Sequence, residues 1–311
     1  MAGACWRSEN GVAREKLELV EVSPRDGLQN EPDVVSTEHK LELINRIVGA
    51  GFRRMEVGSF VNPKKVPQMA DGDAVFAGLP KRNDVTFIAL ALNLRGVERA
   101  IVAGATEVNY VFCASDGFSI RNNGGTVEET FRVWPDVART AKAGGARLSA
   151  TISTAFGCPF DGEVSIDRVV AVAELCAQQE IFELALADTI GVAAPSDVRE
   201  RFRAIKGVAG GLQLRAHFHN TRNTALANAV AAVEGGVRVL DGSLGGIGGC
   251  PFAPGAAGNV PTEDLLYMFN RMGFDTGVDL DAAIETAHFI GDVLGRKTPG
   301  MVSRAPKWPH A

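Results

Sequence analysis

The sequence predicts an α/β fold: a closed (β/α)8 TIM barrel with a C-terminal helical extension and a glycine-rich lid loop. Three observations lead there. Short runs rich in β-branched and apolar residues recur at residues 17–23, 54–60, 85–91, 107–114, 147–154, 182–188, 212–219 and 237–243. Amphipathic stretches at helical spacing lie between them, at residues 37–48, 94–103, 127–143, 166–178, 195–204, 225–234 and 262–272. Glycine-bearing turns such as Ala50-Gly51, Gly104-Ala105, Gly144-Gly145, Gly210-Gly211 and Gly235-Gly236 precede most of the runs, as helix C-caps that return the chain to a sheet do.

Buried strands that alternate with helices make a parallel sheet. Eight such units, at a spacing of about 30 residues over about 250 residues, close into a barrel. The rival is an open doubly wound sheet, whose dinucleotide fingerprint should follow the first strand. Ser23-Pro24-Arg25-Asp26-Gly27-Leu28 stands there instead. Residues 15–275 are assigned to the catalytic barrel. Residues 276–311 form an extension packed on it, in which 281–294 read as a further helix.

Composition narrows the function. A chain of 311 residues that is 46% hydrophobic buries a large core, and its net charge of −5 gives no reason to expect nucleic acid or an anionic membrane as partner. No apolar run approaches the roughly 20 residues that span a bilayer. Residues 1–15 mix Arg7, Glu9, Arg14 and Glu15 without an apolar centre, unlike a signal peptide. The five cysteines are odd in number and form no C-x-x-C pair, which is the usage of a reducing compartment. A cytoplasmic enzyme acting on a small molecule is expected, as a homodimer or higher homo-oligomer.

Barrel active sites gather at the C-terminal ends of the strands, and the polar residues lie there. Arg25 and Asp26 follow strand 1, Glu56 and Ser59 lie on or after strand 2, Ser115 follows strand 4 and Asp188 ends strand 6. His217-Phe218-His219 ends strand 7, and Ser243 opens the loop after strand 8. Residues i and i+2 of a strand share a face, so both imidazoles point one way. Barrel closure brings strands 7 and 8 beside strand 1, and Asp26 can join them. Two imidazoles and a carboxylate suit Mg²⁺, Mn²⁺, Fe²⁺ or Zn²⁺. The plainer alternative is a pair of core or capping histidines.

Other residues carry two readings each. The run from Gly245-Gly246-Ile247-Gly248-Gly249-Cys250 to Asn259 is too glycine-rich for a helix to open from it, so it suits a mobile lid better than a phosphate cradle. Cys250 is then either an inert thiol or one activated by the cluster beneath. Arg25 either pairs with Asp26 to hold a turn or stabilises a developing oxyanion. Glu56 is a buried, satisfied carboxylate or a group that orients Arg25. Asp188-Thr189 caps the following helix or faces the pocket.

With these residues the chain resembles the hydroxymethylglutaryl-CoA lyase family, metal-dependent barrel lyases related to isopropylmalate synthase. The resemblance rests on Pro24-Arg25-Asp26-Gly27-Leu28-Gln29-Asn30-Glu31, Ser59-Phe60-Val61, Val66-Pro67-Gln68-Met69 and Gly157-Cys158-Pro159. It continues through Asp188-Thr189-Ile190-Gly191-Val192, Gly248-Gly249-Cys250-Pro251 and Asn259-Val260-Pro261-Thr262-Glu263-Asp264-Leu265. It covers nearly the whole chain, and the cysteine loop is specific to the lyase branch. The resemblance implies a divalent metal, Mg²⁺ or Mn²⁺, on Asp26, His217, His219 and Asn259, with no organic cofactor beyond the CoA of an acyl-CoA substrate. It implies catalytic roles for Arg25, Cys250, Glu56, Asp188 and His217. It places Gln29, Asn122 and Thr189 along the acyl pocket.

Two departures border the substrate. After the histidines the family usually reads Asp-Thr-Tyr-Gly-Gln, where this chain has Asn220-Thr221-Arg222-Asn223-Thr224. On strand 5 it usually carries a tyrosine where Thr151 stands. Thr151 and Arg222 are therefore expected to touch the acyl group. The expected reaction is cleavage of 3-hydroxy-3-methylglutaryl-CoA to acetyl-CoA and acetoacetate. These two residues favour, as an alternative, a related 3-hydroxy acyl-CoA such as citramalyl-CoA, giving pyruvate. A Claisen-condensing synthase is opposed by the compact length and the Cys250 loop, and a non-catalytic binding barrel by the retained ligand residues.

Overall fold

A computed structural model of the protein describes residues 14–249 and 258–308. Eight parallel strands close into a barrel in chain order. They are β1 (Glu18–Glu21), β2 (Arg54–Ser59), β3 (Thr86–Ala91), β4 (Glu107–Cys113), β5 (Arg147–Ser153), β6 (Glu183–Asp188), β7 (Gln213–Phe218) and β8 (Val239–Gly242). Each falls inside a run marked by the sequence. Closure is made by β1, which pairs with β8 from Glu18↔Val239 to Glu21↔Gly242 as well as with β2.

Helices α1 (Thr37–Gly49), α2 (Gly72–Ala77), α3 (Leu94–Val102), α4 (Asp116–Asn122), α5 (Val127–Phe131) and α6 (Trp134–Ala143) fill the first half. They are followed by α7 (Ile166–Cys176), α8 (Pro195–Lys206), α9 (Ala225–Glu234), α10 (Thr262–Arg271) and α11 (Leu280–Val293). The stretch 127–143, expected as one helix, is two. Pro135 has no N–H, and its ring would collide with the carbonyl four residues back. The helix therefore stops at Phe131 and restarts with proline in its first turn. The short α2 and α4, each under two turns or nearly so, sit in connections that show no periodicity to read. At the far end α11 packs against α1 and against the 3₁₀ turn Leu244–Gly246.

The apolar core lies between the strands and the helical ring, where Phe52, Phe112, Trp134, Phe202, Phe218 and Phe269 are all buried. Inside the barrel the apolar cluster shrinks to Val20, Val22, Ile88 and Val239. The remaining lumen is an ion lattice. Arg54 Nη1 lies 2.7 Å from Glu183 Oε2 and its Nε donates to Glu107 Oε2 at 3.0 Å. Arg215 Nε pairs with Glu183 Oε1 at 2.9 Å. Buried charges of this kind persist only when each has a partner, and the register of β2, β4, β6 and β7 supplies one. Among the described residues no helix is long and apolar enough to cross a membrane.

Candidate metal centre and active site

The chain leaves β1 through a single π-helical turn, Ser23–Gly27, with Ser23, Pro24, Arg25 and Gly27 buried. Pro24 fixes the start of the turn and Gly27 permits its closeness. A Cβ on Gly27 would stand 2.8 Å from both Ile247 Cγ1 and Ser243 Oγ. The turn carries Arg25 and Asp26 over the mouth of the barrel, against the end of β7.

There Asp26, His217 and His219 each offer a ligand atom, all within 4.8 Å of one another. His219 Nε2 and His217 Nε2 lie 3.6 and 3.8 Å from Asp26 Oδ2, too far for hydrogen bonds and fit for a cation between them. Asn259 pairs with His219 as an isolated bridge and donates from Nδ2 to Asp26 Oδ2 at 2.8 Å. Its Oδ1 and His219 Nδ1 are buried without hydrogen-bond partners. An orphaned amide oxygen costs free energy in a protein interior, and a metal would relieve it. The donor set of two imidazoles, a carboxylate and an amide oxygen thus fits a divalent ion.

The electrostatics agree. Burial pushes the Asp26 carboxyl upward, but the Arg25 guanidinium and both imidazoles outweigh it and hold it well below the usual carboxylate range. His217 Nδ1 lies 3.1 Å from Asp241 Oδ2. A carboxylate only accepts, so Nδ1 carries the proton and Nε2 keeps its lone pair toward Asp26. Burial lowers the pKa of His217, yet the Asp241 carboxylate reverses this and leaves it raised. Burial likewise opposes ionisation of Asp241, and Arg215 and His217 overcome it.

Arg25 stands beside this cluster. Its Nε donates to Glu56 Oε2 at 2.6 Å and its Nη1 to Asp26 Oδ1 at 2.5 Å. Glu56 is held in turn by Asn109 Nδ2 at 3.1 Å. The Arg25–Glu56 pair is buried and satisfied, and it fixes the guanidinium beside Asp26.

A model of the HMGL-like family matches residues 16–290. The chain belongs to the HMGL-like family. It is 44% identical over 307 residues to the (R)-citramalyl-CoA lyase of Chloroflexus aurantiacus, covering 95% of this chain and 97% of that one. A 3-hydroxy-3-isohexenylglutaryl-CoA/hydroxy-methylglutaryl-CoA lyase of Pseudomonas aeruginosa is 40% identical over 94% of this chain and 97% of its own. An HMG-CoA lyase from Acinetobacter baumannii, solved in complex with coenzyme A and 3-methylmalate, superposes with a TM-score of 0.90. It has 40% identity and covers 95% of this chain and 97% of that one. As an HMGL-like protein with relatives of this kind, the chain is a carbon–carbon lyase.

Within this HMGL-like site the remaining expected residues divide. Thr151 faces the lumen, donating to Asn109 Oδ1 at 2.9 Å. Gln29 is partly exposed just past the β1 turn, and Asn122 ends α4 with its Nδ2 on Asn123 Oδ1 at 2.8 Å. Asp188 accepts from the backbone N–H of Val192 and Ala193 at 2.9 and 3.0 Å, and Thr189 Oγ1 accepts from Thr154 N at 2.8 Å. Those bonds fold the loops after β5 and β6. Arg222 Nη1 donates to the carbonyls of Ile190 and Gly191 at 3.2 and 2.9 Å, which ties it to the same loop. Cys250 lies outside the described residues.

Sequence reasoning missed Asp241, Arg215 and Asn109. Arg215 shares the face of His217 and His219 by the same period of two. Asp241 is an acid inside a buried strand, Val239-Leu240-Asp241. Both signals were present. It also missed Glu21 and Glu263, which secure the root of the glycine-rich loop. Glu21 Oε1 accepts from Leu244 N at 3.0 Å, and Glu263 Oε2 from Gly245 N at 3.0 Å. Burial lifts each carboxyl to about 7.

Proposed function

We propose that this HMGL-like protein is a divalent-metal-dependent lyase that cleaves 3-hydroxy-3-methylglutaryl-CoA to acetyl-CoA and acetoacetate. The observation that carries it is the convergence of Asp26, His217, His219 and Asn259 beside a buried arginine. Mg²⁺ or Mn²⁺ held by those four would supply Lewis acidity toward the hydroxyl and carboxylate oxygens of the substrate.

The chain's own residues do the rest. Asp241 keeps the proton on His217 Nδ1, so Nε2 faces the metal as a lone pair. A base among the site's carboxylates and imidazoles accepts the tertiary hydroxyl proton as the C2–C3 bond breaks. Its electron pair passes to the thioester as an enolate while the carbinol carbon becomes a ketone. Arg25, already locked by Glu56, offers fixed N–H donors to the oxygen that gains charge, and needs no reorganisation to do so. A proton then converts the enolate to acetyl-CoA, and Cys250, outside the described residues, is assigned to that transfer. A cavity of about 720 Å³ beside the lid root is lined by His288, Arg296, Lys297 and Arg304. Its cations suit the phosphates of CoA.

A second substrate, citramalyl-CoA, is favoured by the 44% relative and by Thr151, which leaves more room than a tyrosine. Steady-state kinetics with both thioesters and added Mn²⁺ separates the two, because one yields acetoacetate and the other pyruvate. Acetoacetate formation that exceeds pyruvate formation at equal substrate supports the first reading, and the reverse installs the second. If Asp26→Ala retains metal content and rate, the metal centre itself is wrong.

A further inference from the structure

Between Arg25 on one wall of the lumen and His217 on the other runs a line of hydrogen bonds of which the reaction above uses only the two ends, Glu56 and Asp241. Arg25 holds Glu56 Oε2, and Glu56 Oε1 accepts from Asn109 Nδ2 at 3.1 Å. Asn109 Oδ1 accepts from Thr151 Oγ1 at 2.9 Å. The same oxygen of Thr151 accepts from Arg215 Nη2 at 3.3 Å. Arg215 Nη1 reaches Asp241 Oδ1 at 3.3 Å, and Asp241 Oδ2 meets His217 Nδ1 at 3.1 Å. Asp26, bonded to Arg25 and facing both imidazoles, completes a circuit through β2, β4, β5, β7 and β8.

Every member but one carries a charge, an amide or an imidazole. Thr151 contributes a single hydroxyl, yet it alone both accepts from the His217 arm and donates to the Arg25 arm. An arginine has donors only and an asparagine oxygen accepts only. Where a third group bridges Arg215 and Asn109 Oδ1 it must accept from the first and donate to the second, and the Thr151 hydroxyl does both. The residue is 8% exposed, so water cannot readily take its place. A tyrosine hydroxyl, carried at the far end of a ring, would not occupy the Oγ1 position. The circuit is therefore a feature of this chain's own choice at 151.

We propose that Thr151 is a positioning residue: its hydroxyl couples the arm that orients Arg25 to the arm that orients His217, so that the anion-stabilising guanidinium and the metal-binding imidazole are fixed relative to each other. This rests on the metal-lyase reading and adds to it a residue that touches neither metal nor reacting atoms. Partners of ligating groups commonly govern metal affinity or rate by about 10–100-fold.

The test compares Thr151→Val, which keeps the shape and loses the hydroxyl, with Thr151→Ser, which keeps the hydroxyl. Calorimetry measures Mn²⁺ binding to the metal-free protein, and steady-state kinetics separates kcat from KM. For Thr151→Val we expect kcat down about tenfold or more, KM within about twofold, and Mn²⁺ binding about tenfold weaker. Thr151→Ser should restore all three. Asn109→Ala breaks the same link from the other side, so the double variant should be no worse than either single one. Wild-type behaviour of Thr151→Val, a Thr151→Ser as impaired as valine, or additive losses in the double variant would each overturn the proposal. If the wild-type chain binds no Mn²⁺, the metal reading fails by itself. The circuit is then judged on melting of the metal-free protein, where additive effects of Thr151→Val and Asn109→Ala refute it. Should Thr151→Val not fold, Asn109→Ala and Thr151→Ser carry the same comparison: a serine that binds Mn²⁺ as the parent does, beside an alanine that binds it about tenfold more weakly, supports the circuit.

Discussion

Replacing Asp241 by asparagine changes one oxygen for an amide and nothing in size, so its effect isolates the charge and the lone pairs. In the native lumen the carboxylate accepts from His217 Nδ1 at 3.1 Å and from Arg215 Nη1 at 3.3 Å. An asparagine has only one accepting oxygen. If that oxygen stays with Arg215, the amide N–H₂ points at His217 Nδ1 and drives the imidazole proton onto Nε2, the nitrogen that faces the metal. If the oxygen turns to His217, the amide N–H₂ confronts the buried guanidinium. Either outcome weakens the ligand. Loss of such a supporting carboxylate costs about 10–100-fold in metal affinity, or about 1.4–2.7 kcal/mol. Calorimetric titration of the metal-free Asp241→Asn protein with Mn²⁺ measures it, with circular dichroism as a control for folding. Affinity within twofold of the parent, in a folded protein, would refute the assignment of the His217 tautomer to Asp241.

Three further outcomes follow from the geometry. Arg25→Lys keeps a charge but cannot bridge Glu56 and Asp26 together, so kcat should fall by about 10²-fold while Mn²⁺ affinity holds. Equal losses in both would deny the separation of roles. At Gly248, φ is +101° and a Cβ would stand 2.7 Å from Asp26 O and 2.6 Å from Asn259 Nδ2. Gly248→Ala should therefore lower the melting temperature by about 2 °C or more and weaken metal binding, and an unchanged protein would contradict the close packing of Gly248 on Asp26 and Asn259. Burial raises Glu21 from 4.5 to about 7, so its contribution to stability is complete below pH 4.5 and is lost as pH rises through about 7. Glu21→Gln, neutral throughout, should melt with a shallower pH dependence across that window. The slope is reduced rather than abolished, because Glu263 titrates in the same range. A slope equal to the parent's would place the ionisation elsewhere.

The strands were legible because a parallel barrel buries each of them on both faces, leaving short apolar runs that glycine turns separate. The cluster of Asp26, His217 and His219 was legible for a related reason. His217 and His219 announce a shared face by their spacing, and closure predicts their neighbour at β1 without any measured distance. What could not be read was which residues meet across the lumen. Asp241 and His217 are 24 positions apart, and only the register of β7 against β8 makes them partners. The same holds for Thr151 and Asn109. Arg222 shows the same limit: its place in the sequence suggested the acyl pocket, but nothing there announces that its guanidinium donates to the carbonyls of Ile190 and Gly191. The break at Pro135 was visible in the sequence and was hidden only by the apolar periodicity on either side.

The charged lumen sets a rule for how such a barrel can change. In a barrel filled with aliphatic layers, one side chain can be traded for another of similar volume with little consequence for its neighbours. Here Arg215 answers both Glu183 and Asp241, and Arg54 answers Glu107 and Glu183. Removing either arginine takes one cation from two buried carboxylates at once, and Glu183 is then left with a single arginine. Variation is thereby pushed out of the lattice and into the loops above it, because the charged residues answer one another and Thr151 and Asn109 are hydrogen-bonded between them. An engineer of this barrel should begin with those loops and treat the arginines as one unit with their acids.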